Sequence, residues 1–141
     1  MLIKTLLAGK KGPLETLDMG QPVSAAIETF SKARFRCLPI VEGDKLVGLV
    51  TIRDLMKFLA ERGGDALTAS ISEAMTSEVA TVSPSDDVDA AEKAMSGRFN
   101  HLPVVEDGKL VGLLTPPDLL SIRLNDVRGL ATDLERYILG G

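Results

Sequence analysis

Residues 36–56 read RCLPIVEGDKLVGLVTIRDLM, and residues 100–120 read NHLPVVEDGKLVGLLTPPDLL. The two stretches align in a constant register of 64 residues, and 12 of the 21 aligned positions are identical. Self-similarity of this extent in a chain of 141 residues predicts two copies of one supersecondary unit. We therefore expect any site built on this unit to occur twice, with its copies related by a pseudo-twofold axis.

Composition narrows the class of protein around this repeat. Each repeat has about 60 residues, which is marginal for independent folding, so the repeats should bury surface against each other. The net charge is −4 and the only dense basic pair is Lys10-Lys11, so no nucleic-acid partner is expected. Apolar stretches fall far below the ~20 residues that span a bilayer, no secretory signal is visible, and a single cysteine fits a reducing compartment. We therefore predict a cytoplasmic protein without membrane contact.

Hydrophobic periodicity predicts an α/β (α+β) fold with the same order of elements in both halves. The first half is predicted to hold a strand at 14–17, a helix at 23–33, strands at 38–41 and 46–50, and a helix at 52–61. The second is predicted to hold a strand at 79–82, a helix at 87–97, strands at 102–105 and 110–114, and a helix from residue 115. Short helices are expected at 2–8 and 71–75, and one residue is missing from the second copy near Ser96 and Gly97.

These elements divide the chain into four segments. The segments are 1–62, an N-terminal segment with the first repeat; 63–78, a linker; 79–121, the second repeat; and 122–141, a C-terminal helix. Phe35 and Phe99 follow Arg34 and Arg98 in register, and we expect their rings to close the core where a helix turns into a strand.

The final helix carries an apolar heptad seam. Its members are spaced alternately by four and three residues: Leu120, Leu124, Val127, Ala131, Leu134 and Ile138. The seam either packs on the helix's own domain or forms a self-association surface. Gly129 within the helix costs about 1 kcal/mol relative to Ala, which weakens an independent coiled coil.

In both halves a strand runs into a helix through the pattern Gly-x-x-Thr-x-x-Asp, at 48–54 and 112–118. A Thr at a helix start and an acidic residue three positions later form a capping box, which accounts for the pattern without any ligand. The same helix start also attracts an anion such as phosphate, and the carboxylate can accept two hydrogen bonds from the vicinal diol of a ribose. Gly112, inside its strand, would permit close approach of a flat ring. The residues alone leave both interpretations open.

The doubled Leu-Pro-x-Val, the polar turn and the Gly-x-x-Thr-x-x-Asp pattern together resemble the cystathionine-β-synthase (CBS) domain family. Two copies in tandem resemble a Bateman module, and the resemblance covers about residues 14–62 and 79–121. It implies tandem β-α-β-β-α repeats packed through their sheets about a pseudo-twofold axis, with a long C-terminal helix. It also implies a stand-alone regulatory protein, not an enzyme, that forms a homodimer and signals by self-association or to an unknown effector protein.

The resemblance further implies two equivalent clefts for an adenosine-containing ligand: AMP, ADP, ATP, S-adenosylmethionine or NAD(H). The motif Asp would hold the ribose hydroxyls, and polar residues before the other repeat's Leu-Pro would meet the phosphate. The first cleft then consists of Thr51, Arg53, Asp54, Ala80, Thr81, Val82, Ser83, Asn100 and His101. The second consists of Thr115, Asp118, Glu15, Thr16, Leu17, Asp18, Arg36 and Cys37. Pro116 and Pro117 remove two backbone donors from the second cleft, which favours the first for a phosphorylated ligand.

Cys37 and His101 are each the only residue of their kind, and they occupy equivalent repeat positions. A metal site needs more ligands than this pair, and a Cys-His nucleophile needs an orienting third group, so we interpret both as lining residues. His101 beside a phosphate would make binding depend on pH. A competing hypothesis is a structural dimerisation protein whose clefts bind nothing and whose two aspartates serve only as helix caps.

Overall fold

A computed structural model describes residues 1–10, 12–32, 35–95 and 100–140, which fold into a mixed α/β arrangement. The helices are α1 (Ile3–Gly9), α2 (Val23–Lys32), α3 (Ile52–Arg62), α4 (Val88–Met95) and α5 (Pro116–Leu139). The strands are β1 (Leu17–Asp18), β2 (Cys37–Glu42), β3 (Lys45–Thr51), β4 (Leu102–Glu106) and β5 (Lys109–Leu114). Short 3-10 helices at Gly63–Thr68 and Ile71–Glu73 lie between the repeats. The predicted fold class is confirmed.

Each repeat is built around an antiparallel hairpin, β2–β3 or β4–β5, as the duplicated sequence predicts. The two hairpins have the same irregularity, a register shift after Ile40 in one and after Val104 in the other. Their two-residue turns differ in the order of Gly and Asp. Gly43 alone takes a positive φ in the first turn, whereas Asp107 and Gly108 both do in the second, which matches the preferences of type II′ and type I′ turns.

The hairpins join edge to edge into one five-stranded sheet with the order β1-β2-β3-β5-β4. The junction is narrow, because Lys45 and Lys109 form the only register pair between β3 and β5. The Leu110 N–H extends it by donating to the Asp44 carbonyl at 2.9 Å. The two repeats therefore meet through the second strand of each hairpin, β3 and β5.

Each repeat has its own apolar core, and the segment that precedes one repeat completes the core of the other. Ile3 of α1 is fully buried in the core of the second repeat, while Ile71 of the linker is fully buried in the core of the first. The Ile3 N–H donates to the Asp86 carbonyl at 2.9 Å, and the Ile71 N–H donates to the Gln21 carbonyl at 2.8 Å. The duplication therefore extends beyond the repeats into these exchanged segments.

Three local predictions differ from the structure. The first strand covers residues 17–18, not 14–17, because Leu14 and Glu15 are exposed and face a cavity. The strand predicted at 79–82 is a single parallel bridge between Val82 and Val104. Phe35 does not close the core but is 38% exposed beside the same cavity.

Some predictions are not tested by the described residues. Those made for Arg34, Ser96, Gly97, Arg98 and Phe99 lie outside the described residues. The division into four segments stays a prediction, although α5 begins at Pro116 and α1 packs on the second repeat.

The helix α5 touches the rest of the protein only near its start, within the part of the chain described. Leu119 and the buried Ile122 pack on the core of the second repeat, and Arg123 pairs with Glu92 of α4. Every residue from 123 to 140 is exposed. The heptad seam therefore does not pack on the helix's own domain.

Candidate ligand-binding clefts

Both Thr/Asp pairs cap their helices. At α3 the Thr51 N–H donates to Asp54 Oδ2 at 2.9 Å, and the Asp54 N–H donates to Thr51 Oγ1 at 3.1 Å. At α5 the Thr115 N–H and hydroxyl both donate to Asp118 Oδ2, at 2.8 and 2.9 Å. Both aspartates are only half-buried. Capping is thus a real role of these side chains, and it leaves them accessible for a second one.

A lysine from the N-terminal segment occupies the second cleft. Lys10 Nζ donates to Asp118 Oδ2 at 2.9 Å and to the Leu113 carbonyl at 2.8 Å. The ion pair is partly shielded, because the side chains of Lys10 and Asp118 are 35% and 16% exposed. Lys10 stands directly after α1, and its N–H donates to the Leu7 carbonyl of that helix. The carboxylate predicted to hold a ribose is therefore paired with a cation of the same chain.

A cavity of about 240 Å³ lies beside this ion pair, between the two repeats. The first repeat contributes Phe35 and Cys37, the second contributes Thr115, and α1 contributes Leu7. The remaining lining residues are Lys10, Gly12, Pro13, Leu14, Glu15, Val111, Gly112 and Leu113. Largely apolar walls with a few convergent polar groups are typical of small-molecule sites. Thr115, Glu15 and Cys37, which the sequence analysis groups in one cleft, are brought together here.

His101, which the sequence analysis assigns to the first cleft, lies near charged groups of the second. Burial lowers the pKa of His101 below its ordinary value of 6.5, and the nearby Arg36 and Lys10 cations lower it further, while Asp118 opposes them. These four groups are therefore close enough for their charges to act on one another. The structure places His101 beside the groups of the second cleft.

Acidification is expected to destabilise the wild-type protein more than the His101→Gln variant. Because the folded pKa of His101 lies below 6.5, the unfolded chain binds more protons in the window just below that value. Stability therefore rises with pH through this window and is lost as the pH falls through it. Urea denaturation at several pH values between about 5 and 7 measures the effect. Equal pH dependence in the two proteins would contradict it.

The residues assigned to the first cleft differ from one another in exposure and in hydrogen-bond partners. Arg53, Thr81 and Asn100 are exposed, and Ala80 is half-buried. Val82 is buried and bonds its own repeat, since its N–H donates to the Pro103 carbonyl at 3.1 Å. The Ser83 N–H donates to Asp86 Oδ2 at 2.8 Å in the turn before α4. Their joint role with Thr51 and Asp54 stays a prediction.

The remaining residues of the second cleft belong to the first strand and its turn. Thr16 is half-buried, and Leu17 is buried where it pairs with Ile40. Asp18 Oδ1 accepts from the Gly20 N–H at 2.9 Å, so this carboxylate orders the turn after β1.

Sequence reasoning missed the contributions of Lys10, Leu7, Val111 and Leu113. The only signal for Lys10 was its place in the one dense basic pair of the chain. Gly112 was predicted to admit a flat ring, but Leu7 approaches it: a Cβ there would lie 2.7 Å from Leu7 Cδ2. The missing side chain thus accommodates α1.

Cys37 is buried, and its thiol is protonated near neutral pH. Burial raises the pKa of Cys37 to about 12, and the negative charge of Asp54 adds to this effect. A thiolate is the form that attacks electrophiles or binds metals, so this environment disfavours both chemistries. Across the residues described, no group of three or more His, Cys, Asp and Glu side chains is arranged to hold a metal ion.

None of the helices described here combines the length and the apolar character needed to cross a membrane.

Comparisons of the sequence and of the structure with known proteins point to the same family. The model of the CBS domain matches residues 10–61 and 71–125. The chain is 28–33% identical to the first three curated relatives over 108–124 residues, and it spans between 21% and 63% of their length.

Three solved structures share this fold. The CBS-domain containing protein ATU1752 from Agrobacterium tumefaciens is 29% identical, with a TM-score of 0.77 over 87% of this chain and 99% of that one. The CBS domain pair of protein MJ0100, in complex with 5′-methylthioadenosine and S-adenosyl-L-methionine, is 30% identical, with a TM-score of 0.74 over 89% and 98%. CBSX2 in complex with AMP is 28% identical, with a TM-score of 0.68 over 79% and 88%.

Proposed function

The chain belongs to the CBS domain family, and from this we propose that it is a regulatory protein that binds an adenosine-containing ligand between its two repeats. The ligand class is carried over from the neighbours solved with AMP and with S-adenosyl-L-methionine and 5′-methylthioadenosine. AMP, ADP, ATP, S-adenosylmethionine and NAD(H) are the candidates.

The observation that carries the proposal is the cavity between the repeats, with Thr115 on its wall and Asp118 paired to Lys10 of the same wall. Its apolar walls suit an adenine ring, and Asp118, bonded to Lys10 of the wall, offers a carboxylate for a ribose. Lys10 and Arg36, whose charges both act on His101, are the cations available for an anion. We therefore assign the ligand to the second cleft. The preference for the first cleft rested on the lost backbone donors at Pro116 and Pro117, and side-chain cations offset that loss.

Calorimetric titration with the five candidate ligands tests the assignment, using Asp118→Asn and Asp54→Asn as a pair matched by the repeat. Asn keeps one oxygen to accept the capping hydrogen bond, but it lacks the second carboxylate oxygen and the charge. Asp118→Asn is expected to weaken binding by about tenfold or more, because hydrogen bonds to charged groups contribute about 1.5–3 kcal/mol. Asp54→Asn is expected to leave the affinity nearly unchanged. The reverse ranking would move the ligand to the first cleft, and no binding below millimolar concentration would end the sensor proposal.

The second candidate function is a structural dimerisation protein with clefts that bind nothing. It is supported by the capping bonds, since Asp54 and Asp118 each already accept from the backbone of their helix start. In that case both Asn variants would change only stability, and Asp118→Asn would lose more because it also weakens the pair with Lys10.

The output of the protein is proposed to pass through self-association along α5, or through an effector protein whose identity is open. The exposed heptad seam of α5 supports a homodimer. The single cysteine, which leaves no partner for an intrachain disulfide, is consistent with a reducing compartment, and we propose the cytoplasm.

A further inference from the structure

We propose that Lys10 is a specificity-determining residue of the second cleft, which exchanges its bond to Asp118 for a bond to an anionic group of the ligand and so selects phosphorylated over neutral nucleosides. This inference rests on the proposed function, because it concerns the same cleft. It adds a residue from outside both repeats and assigns it a definite role in ligand choice.

The first step is that Lys10 and the ligand's sugar compete for one atom. Lys10 Nζ lies 2.9 Å from Asp118 Oδ2, and the same oxygen already accepts the N–H and the hydroxyl of Thr115. An oxygen with three donors has little remaining capacity for a ribose hydroxyl. A ribose whose two hydroxyls bond both carboxylate oxygens of Asp118 must therefore take the place of a donor at Oδ2. Lys10 is the donor that can leave while the two bonds from Thr115, which belong to the helix cap, stay in place.

The second step is space. The cavity beside the ion pair is about 240 Å³, below the range of about 300–1,000 Å³ that ligand pockets usually have. Lys10 is one of its lining residues. Leu7 and Gly12, which precede and follow Lys10 in the N-terminal segment, also line the cavity. Withdrawal of Lys10 would both release Asp118 and enlarge the cavity.

The third step is charge. A displaced ammonium group needs a new partner, because an unpaired and partly buried charge is costly. A neutral nucleoside offers none, whereas a phosphate offers strong acceptors that Lys10 can reach from within the same cleft. Arg36 and Lys10 both lie near enough to affect His101, so the cleft already concentrates positive charge. Glu15 is the carboxylate on the cavity wall, and a bond to it is the alternative to a ligand phosphate for the displaced Lys10.

The test is calorimetric titration of AMP and adenosine into the wild-type protein and into Lys10→Gln. The wild-type protein is expected to prefer AMP, and Lys10→Gln is expected to reduce the ratio of the two affinities by about tenfold. Adenosine should bind the variant about threefold more tightly, because no ion pair has to break, and AMP about threefold more weakly. Lys4→Gln is the matched control, since Lys4 is an exposed lysine on α1 and its replacement removes the same charge. Lys10→Arg keeps the charge and should retain the wild-type preference.

The possible outcomes distinguish failure of the proposed role of Lys10 from failure of the proposed adenosine binding. If both nucleosides bind and the ratio of their affinities is unchanged in Lys10→Gln, Lys10 does not select the ligand and only this inference fails. A fall in both affinities by the same factor would overturn it as well, since it would make Lys10 a general binding residue. If neither compound binds either protein, this inference fails, and the proposed function fails with it only when the titration with all five candidate ligands also finds no binding.

Discussion

Replacement of Gly48 by Ala is expected to lower the free energy of unfolding by about 2 kcal/mol, which is typical of overpacking a tight contact. A Cβ at Gly48 would lie 2.8 Å from the carbonyl oxygen of Thr76 and 2.7 Å from Met75 Sδ. The Thr76 oxygen is backbone and accepts from the Leu49 N–H at 2.9 Å. The clash therefore cannot be relieved without stretching the bridge that attaches the linker to β3.

Gly112 is the equivalent position of the second repeat and supplies the control. The three atoms nearest to a Cβ there all belong to the side chain of Leu7, whose Cδ2 and Cδ1 would lie 2.7 and 3.0 Å away. Leu7 is half-buried and can change its rotamer, so Gly112→Ala is expected to cost less than about 1 kcal/mol. Urea denaturation of the two variants measures both values. Equal losses, or a larger loss at Gly112, would show that the two exchanged segments are not held as described.

This asymmetry shows where repeat-based reasoning from sequence stops. The repeated Gly in each β-strand is visible in the sequence, and so is the reason why a strand would tolerate it. What fills the space is not visible, because the two neighbours differ: a linker backbone at Gly48 and an aliphatic side chain of α1 at Gly112. Duplicated residues therefore predict duplicated backbone geometry, and they do not predict equal environments.

The elements that the sequence predicts well are those with strong local signals. The hairpins follow from two apolar runs around a polar Gly turn, and the capping boxes follow from Thr and Asp three residues apart. The strand predicted at 79–82 fails because its pairing reduces to one bridge, at Val82, and apolar character alone does not fix the length of a ladder.

The cleft was predictable only in part, for a different reason. The family resemblance groups Thr115 with Cys37, and the structure brings both to one cavity, while their role in binding stays a prediction. Lys10 was missed because it reaches Asp118 across 108 positions of sequence, and no periodicity links an N-terminal lysine to a helix start so far away. Contacts of this kind depend on where α1 docks, which is a property of the packed chain.

The largest effect is expected on the self-association of α5. Leu119 and Ile122 contact the second repeat, whereas the seam residues Leu124, Val127 and Ile138 are 50%, 64% and 75% exposed. The seam thus faces away from the protein's own core along a helix of 24 residues. A second copy with the same seam is the partner that this spacing fits, because heptad repeats pair with heptad repeats. The chain of 141 residues should therefore sediment as a homodimer.

Leu124→Glu is expected to raise the dissociation constant of that dimer by about 100-fold or more. The variant loses the burial of a Leu, about 1.5–3 kcal/mol per helix, and it places a carboxylate in an apolar seam, which costs several kcal/mol unless the helices separate. Asn125→Glu adds the same charge at the neighbouring exposed position, outside the seam, and should leave the dimer intact.

Gly129 has no neighbour within 4 Å at its Cβ position, so Gly129→Ala should strengthen the helix and the dimer by about 1 kcal/mol per chain at most. Sedimentation velocity over a range of concentrations distinguishes these cases. A wild-type protein that stays monomeric at high concentration, or a Leu124→Glu variant that dimerises as well as Asn125→Glu, would show that the seam serves some other partner.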